Sequence, residues 1–236
     1  MASSSADACR LALAALLAAS PALAADRVAE FVAEARAAAV RDWQPDARLV
    51  QVDVSGYGFV PDFQGGTLKS DETPKVARLY FYSPSAPDDL LRAMLQFNFP
   101  PEQQDFVRQR PELAQPRWEK LPGGRLLAPY TFAIPEQVTD VTDAVTLAER
   151  SGVERDCAGS NPAYSCANIT RAELHVYLVG DGRQVPVWRV AFGQDAQAKE
   201  IVRLVNAASG RLITNCSVPE GGAAAGSPGT VRLACR

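Results

Sequence analysis

The chain of 236 residues has one histidine, two methionines and no run of lysine or arginine. Each shortage removes a class of function. With His175 alone, and no serine or cysteine motif beside it, the sequence offers no nucleophile–base pair and no histidine-rich metal site. Its formal charge of −3, with basic residues scattered, supplies no patch for a phosphate backbone or an anionic lipid surface. Nucleic acid is not an expected partner. After residue 24 no apolar stretch approaches the ~20 residues that cross a bilayer as a helix. No direct membrane insertion is expected of the mature chain.

What is present begins with a secretory signature. Arg10 precedes the short apolar run Leu11 to Ala19, and Ser20 and Pro21 lead to the small-x-small triplet Ala22-Leu23-Ala24. Residues 1–24 read as a signal peptide, and a periplasmic or secreted location follows. Five cysteines are present, and removal of Cys9 with the leader leaves Cys157, Cys166, Cys216 and Cys235. An even number in an exported chain implies disulfides. Three pairings are possible. Cys157 with Cys166 and Cys216 with Cys235 are favoured, since each closes a short loop worth about 3 kcal/mol in the chain-entropy account. The spacings are not those of a zinc site, so no metal and no cofactor is expected.

Hydrophobic periodicity divides the rest. Val28, Phe31, Val32, Ala35 and Ala39 share one face of a helix over Asp26 to Trp43, which Pro45 ends. Arg48 to Ser55 alternates as a half-buried strand with Val50, Val52 and Val54 on one face. A Gly/Pro/Asp-rich loop, Gly56 to Pro74, precedes strands at Lys75 to Ser83 and Leu90 to Phe99. Residues 25–99 thus form a first helix-plus-sheet unit. Seven prolines between 100 and 135 make residues 100–137 a connector, with a short helix near Glu102 to Arg108 and some strand near Leu126 to Ile134.

From residue 138 the plan recurs. A helix over Val138 to Ser151, capped by Thr139 or Asp140, gives way at Gly152 to a cysteine-bearing loop. Strands follow at Arg171 to Val179, Val185 to Phe192, Ile201 to Asn206 and Arg211 to Thr214. Residues 138–236 are the second unit. The expected fold is α+β: two tandem units, each a helix packed on an antiparallel sheet, joined by the proline-rich connector.

The segments Val185-Pro-Val-Trp-Arg-Val-Ala-Phe192 and Val202-Arg-Leu-Val-Asn-Ala-Ala-Ser-Gly-Arg-Leu-Ile213 resemble the PepSY-type module of bacterial exported proteins. The likeness covers residues 138–214 and rests on Trp188, Asn206, Ala207 and Gly210, with Asn206 where that family usually has Asp. It implies a cystatin-like α+β unit with a role in associating with other exported or membrane-associated proteins. No reaction follows from it.

Candidate contact residues are aromatic. Tyr80 and Tyr82 share a strand face with Arg78, as His175 does with Tyr177, so each sheet is expected to present an amphipathic surface to a partner. Trp188 shares its face with Val190 and Phe192 and reads as core or as the lining of a groove. Asp88-Asp89 and Asp140/Asp143 are explained by loop solvation and capping rather than acid–base chemistry. Gly56-Tyr57-Gly58 opens no helix and is not a phosphate cradle. The expected function is a non-catalytic periplasmic binding or regulatory module acting on another exported protein. The competing class is a carrier or enzyme that uses a cavity between helix and sheet, and it requires a pocket of several hundred cubic ångströms.

Overall fold

A computed structural model describes residues 21–56, 59–61, 68–70, 75–97, 107–110, 114–122, 132–157, 166, 168–180, 182–194, 199–218 and 232–236. Its first element is helix α1 (Pro21–Asp42), which buries Val28, Phe31, Ala35 and Ala39 along one stripe. These positions all follow Ala25, so cleavage at the expected leader site leaves the stripe intact. The strands of the main sheet in the first half are β1 (Arg48–Ser55), β4 (Val76–Tyr82), β5 (Asp89–Gln96) and β6 (Arg117–Pro122). Between β1 and β4, β2 (Phe59–Pro61) and β3 (Leu68–Ser70) pair with each other as a separate ribbon. The stretch expected as a plain loop therefore contains a hairpin.

Helix α2 (Val141–Glu149) starts at Asp140, whose carboxylate accepts a hydrogen bond from the Thr142 amide at 2.7 Å. Gly152 then adopts φ 89°, a left-handed conformation that favours glycine, and one short helical segment, α3 (Val153–Asp156), leads to Cys157. The chain continues through β7 (Ile169–Leu178), β8 (Gln184–Gln194), β9 (Glu200–Asn206) and β10 (Arg211–Ile213). A small hairpin of β11 (Cys216–Ser217) and β12 (Ala234–Cys235) closes the described chain.

Two separate cystatin-like units are not what forms. One antiparallel sheet of eight strands runs β10-β9-β8-β7-β1-β4-β5-β6, and strand rather than helix dominates the protein. The joint is β1 with β7, where Val52 faces Leu174, Asp53 faces Glu173, Val54 faces Ala172 and Ser55 faces Arg171. An unpaired strand edge leaves backbone donors and acceptors open to other chains. Pairing β1 with β7 satisfies two such edges at once and fuses the two meanders. Both helices then lie on one face, α1 over β1, β4 and β5 and α2 over β8, β9 and β10, above a single buried cluster.

Two further differences have local causes. β6 lies inside the proline-rich connector because Pro116 and Pro122 stand only at its ends. It forms the outer edge of the sheet, where a missing amide hydrogen costs no ladder bond. Of the two elements expected within the connector, residues 107–109 do form a helical turn, while most of the expected strand near Leu126 lies outside the described residues. In β1 a bulge between Leu49 and Gln51 breaks the alternation. Val50 consequently joins Tyr82 and Leu90 on the face away from the helices instead of sharing the side of Val52 and Val54.

The cysteines pair as the short loops favoured, Cys157 with Cys166 and Cys216 with Cys235. The second bridge holds the end of the chain across the helix-free face, where Leu233 is buried with Tyr177, Val187 and Leu204 and its amide donates to the Leu178 carbonyl at 2.9 Å. Among the described residues no helix is long and apolar enough to cross a membrane. Disulfides with no such helix are compatible with export.

Three sets of variants test this architecture. Leu174→Ala, at a 1 % exposed position of the joint, is expected to cost about 2–5 kcal/mol. Because the sheet is shared, single-tryptophan variants retaining Trp43 or Trp188 should report one common urea transition; separate transitions would show that the halves fold independently. Replacing Cys216 and Cys235 by serine should lose about 3 kcal/mol. In hydrogen exchange it should strip protection from the Leu233 amide while leaving β7 and β8 protected, and unchanged protection at Leu233 would show that the bridge is not what holds the tail.

Candidate functional site

The six residues expected to make contacts divide between the two faces. Arg78, Tyr80 and Tyr82 on β4, with His175 and Tyr177 on β7, lie on the face away from the helices. Trp188 lies on the helix side. The expected exposed aromatic surface does not form: Tyr82 is 8 % exposed, packed with Val50 and Leu90, and Tyr177 is 3 % exposed beneath Leu233. Tyr80 is half-buried against the same cluster as Tyr82. The sequence reveals the face of each side chain but not the segment that returns to cover it.

Charge occupies the middle of that face. Arg78 donates to Ser55 Oγ at 2.9 Å and reaches Asp53 at 3.4 Å. Across the β1–β7 joint, Arg189 bonds Glu173 at 3.0 Å and also Glu200, and Arg171 stands 3.5–3.6 Å from the same two carboxylates. Burial pushes the Asp53 carboxyl up from its ordinary value, with Arg78 pulling the other way and Glu173 adding to the rise. His175 sits in this row, half-buried, its ring edge-on to Tyr177 with centroids 6.0 Å apart. Burial lowers its pKa to about 4; Glu173 works against this and Arg189 with it. Among the described residues no cluster of three metal-ligating side chains occurs.

The helix side holds a large, mostly apolar recess. Between α1 and the segment entering α2, a cleft of about 680 Å³ opens over the centre of the sheet. Leu49 and Val52 of β1, Leu174 of β7 and Trp188 of β8 form its floor. Val28, Val32 and Val40 of α1 make one wall, and Ile134 with Val138 to Val141 makes the other. Val40 remains 45 % exposed at the rim, an unusual position for a large apolar side chain near a core. The polar groups at the edge are Arg36, Arg41, Glu136, Thr139 and Asp140.

A small network makes the far wall rigid. Thr139 donates to the Ala207 carbonyl through both its amide, at 2.7 Å, and its hydroxyl, at 2.9 Å. Its own carbonyl accepts the Trp188 indole N–H at 2.8 Å. Ala207 belongs to the turn after β9, where Asn206 Oδ1 accepts the amides of Ala208 and Ser209 and Gly210 takes φ 62°. Of the residues that carried the family resemblance, Trp188 and Ala207 are both bonded to Thr139. Those bonds orient Trp188 with its polar atom satisfied and its ring beside the cleft.

Arg36 was not legible as a site residue, since an arginine on a surface helix reads as solvated. Its Nη2 instead crosses to the Ile134 and Pro135 carbonyls at 3.0 and 2.9 Å. Burial lowers the pKa of this guanidinium, and the nearby Glu136 charge offsets part of the effect. The sequence does carry a trace of the cleft in Val32 and Val40, apolar positions that broaden the helical stripe beyond what one packing face needs. Comparison with protein-family models, with curated proteins and with solved structures finds no match.

The histidine yields a sharp test because the chain contains only one. Its folded pKa lies below the ordinary 6.5, so between pH 6.5 and about 4 the unfolded chain binds more protons than the folded one. Stability from this group is complete above that window and is lost as pH falls through it. The imidazole NMR resonance should titrate near pH 4, and His175→Gln should flatten the dependence of the urea midpoint on pH across the window. A midpoint near 6.5 would place the ring in solvent.

Proposed function

We propose that this is an exported, non-catalytic binding module whose site is the cleft between α1 and the entry to α2, and that it accepts an apolar ligand there. The observation that carries the reading is the recess itself: about 680 Å³, walled by valines and floored by Leu174 and Trp188. Ligand pockets typically fall between about 300 and 1,000 Å³ with mostly apolar walls and a few polar groups at fixed places. The two disulfides and the leader signature support export. A non-catalytic role rests on the character of the cleft, where the ionisable groups stand at the rim and Asp140 is engaged in capping α2.

The site has moved from the notional sheet surface to the helix side because Tyr82 and Tyr177 are occupied within the chain. A binding surface must have area left to bury, and the cleft retains it. Apolar burial at about 25 cal/mol per Å² makes such a recess a favourable place for an alkyl or aromatic group.

A neutral apolar dye, N-phenyl-naphthylamine, tests the reading with the oxidised mature protein. Its fluorescence should rise on binding, and Ala33→Trp, which places a bulky group at an exposed lining position of α1, should abolish the rise without altering the circular dichroism spectrum. No enhancement with the native protein, or an enhancement untouched by Ala33→Trp, would remove the cleft as the site.

A further inference from the structure

Resting on the cleft as the binding site, the geometry points to its ligand class: a free single-chain amphiphile with an anionic head, such as a medium-chain carboxylic acid. Its chain lies over Val32, Val52, Leu174 and Trp188 and its head meets the Arg36 guanidinium.

The argument is one of charge left over. Three other charged or polar groups that line the cleft are already engaged. Arg41 pairs with Asp42 at 2.6 Å, Asp140 accepts the Thr142 amide, and Thr139 is tied to Ala207 and Trp188. Arg36 is different. It is partly buried and bonded through Nη2 alone, to two neutral carbonyls, and among the described residues no carboxylate forms an ion pair with it. Glu136 is near enough to act on its charge but stands exposed at the rim. A guanidinium presents five N–H donors in a planar fork suited to a carboxylate. The two carbonyl bonds fix its position before a ligand arrives, so little side-chain entropy remains to be lost on binding.

The apolar part follows from the rest of the lining. Beyond Arg36 the floor and walls offer valines, two leucines, Ile134 and the Trp188 ring, whose indole N–H is already bonded, and the other polar lining groups stand at the edge. A polar sugar or a peptide backbone would lose hydrogen bonds to water and gain none there. The recess is bounded by helix and sheet and lacks a cluster of basic groups, which favours a free monomer over a lipid held in a bilayer.

Calorimetric titration of the oxidised mature protein at low ionic strength with decanoate, decanol and decyltrimethylammonium decides the matter. Decanoate should bind about tenfold or more tightly than decanol, the gain expected of one charge-assisted hydrogen-bonded pair, and the cation should bind weakest. Arg36→Gln should erase the preference for decanoate and leave decanol binding, while Arg36→Lys should keep part of it. If Arg36→Gln does not fold, the native protein still gives an answer: raising the salt concentration should reduce the decanoate advantage. Equal affinity for decanoate and decanol overturns the anionic-head inference and leaves the apolar site standing. Binding of neither removes the proposed function with it. Sedimentation with phosphatidylglycerol vesicles in place of decanoate binding would also overturn the inference, by assigning the anion to a membrane.

Discussion

The hydrogen-bonded pairing of β1 with β7 is the constraint on which the other features rest. It joins two meanders into one sheet and sets α1 and α2 on the same side, where they do not meet along their whole lengths. The cleft is the space left between them. Its floor belongs to the joint itself, since Val52 and Leu174 are direct partners across it. Had each meander kept its own sheet, the two helices would have had no common surface and no recess between them.

The two faces of this sheet do different work. The helix side buries aliphatic and aromatic groups in one cluster, with Thr139 binding the Trp188 ring and the β9–β10 turn to the start of α2. On the other side, arginines and carboxylates alternate across neighbouring strands, and the ends of that face are closed by small apolar clusters. Such ion pairs are partly desolvated, so they favour one register more than they add stability. A one-residue slip of β7 against β1 would bring Glu173 and Arg171 to the helix side and expose Leu174, and both changes are costly.

The local elements were legible because periodicity is a local signal. Val28, Phe31, Ala35 and Ala39 give α1, and Leu174, Val176 and Leu178 give β7. Long-range partners leave no such trace. Nothing in Val52 or Leu174 names the other, so two units were read where one sheet forms. Regular alternation put Val50 beside Val52, whereas the bulge turns it to the opposite face. Trp188 could be assigned to a core or groove by its neighbours, but the cleft beside it exists only after both helices are placed. Tyr177 looked available because Leu233, which covers it, lies far along the chain and is held there by Cys216 and Cys235.

The connectivity also governs how the chain must be made. β1 ends at Ser55, while its partner β7 begins at Ile169, so one edge of β1 stays open until most of the polypeptide has emerged. Until β7 is present the N-terminal meander is thus a partly formed sheet with β1 at its border. Non-local strand pairing of this kind is slow and leaves intermediates prone to associate with one another. A chain truncated before residue 169 lacks β7, the strand that pairs with that edge of β1.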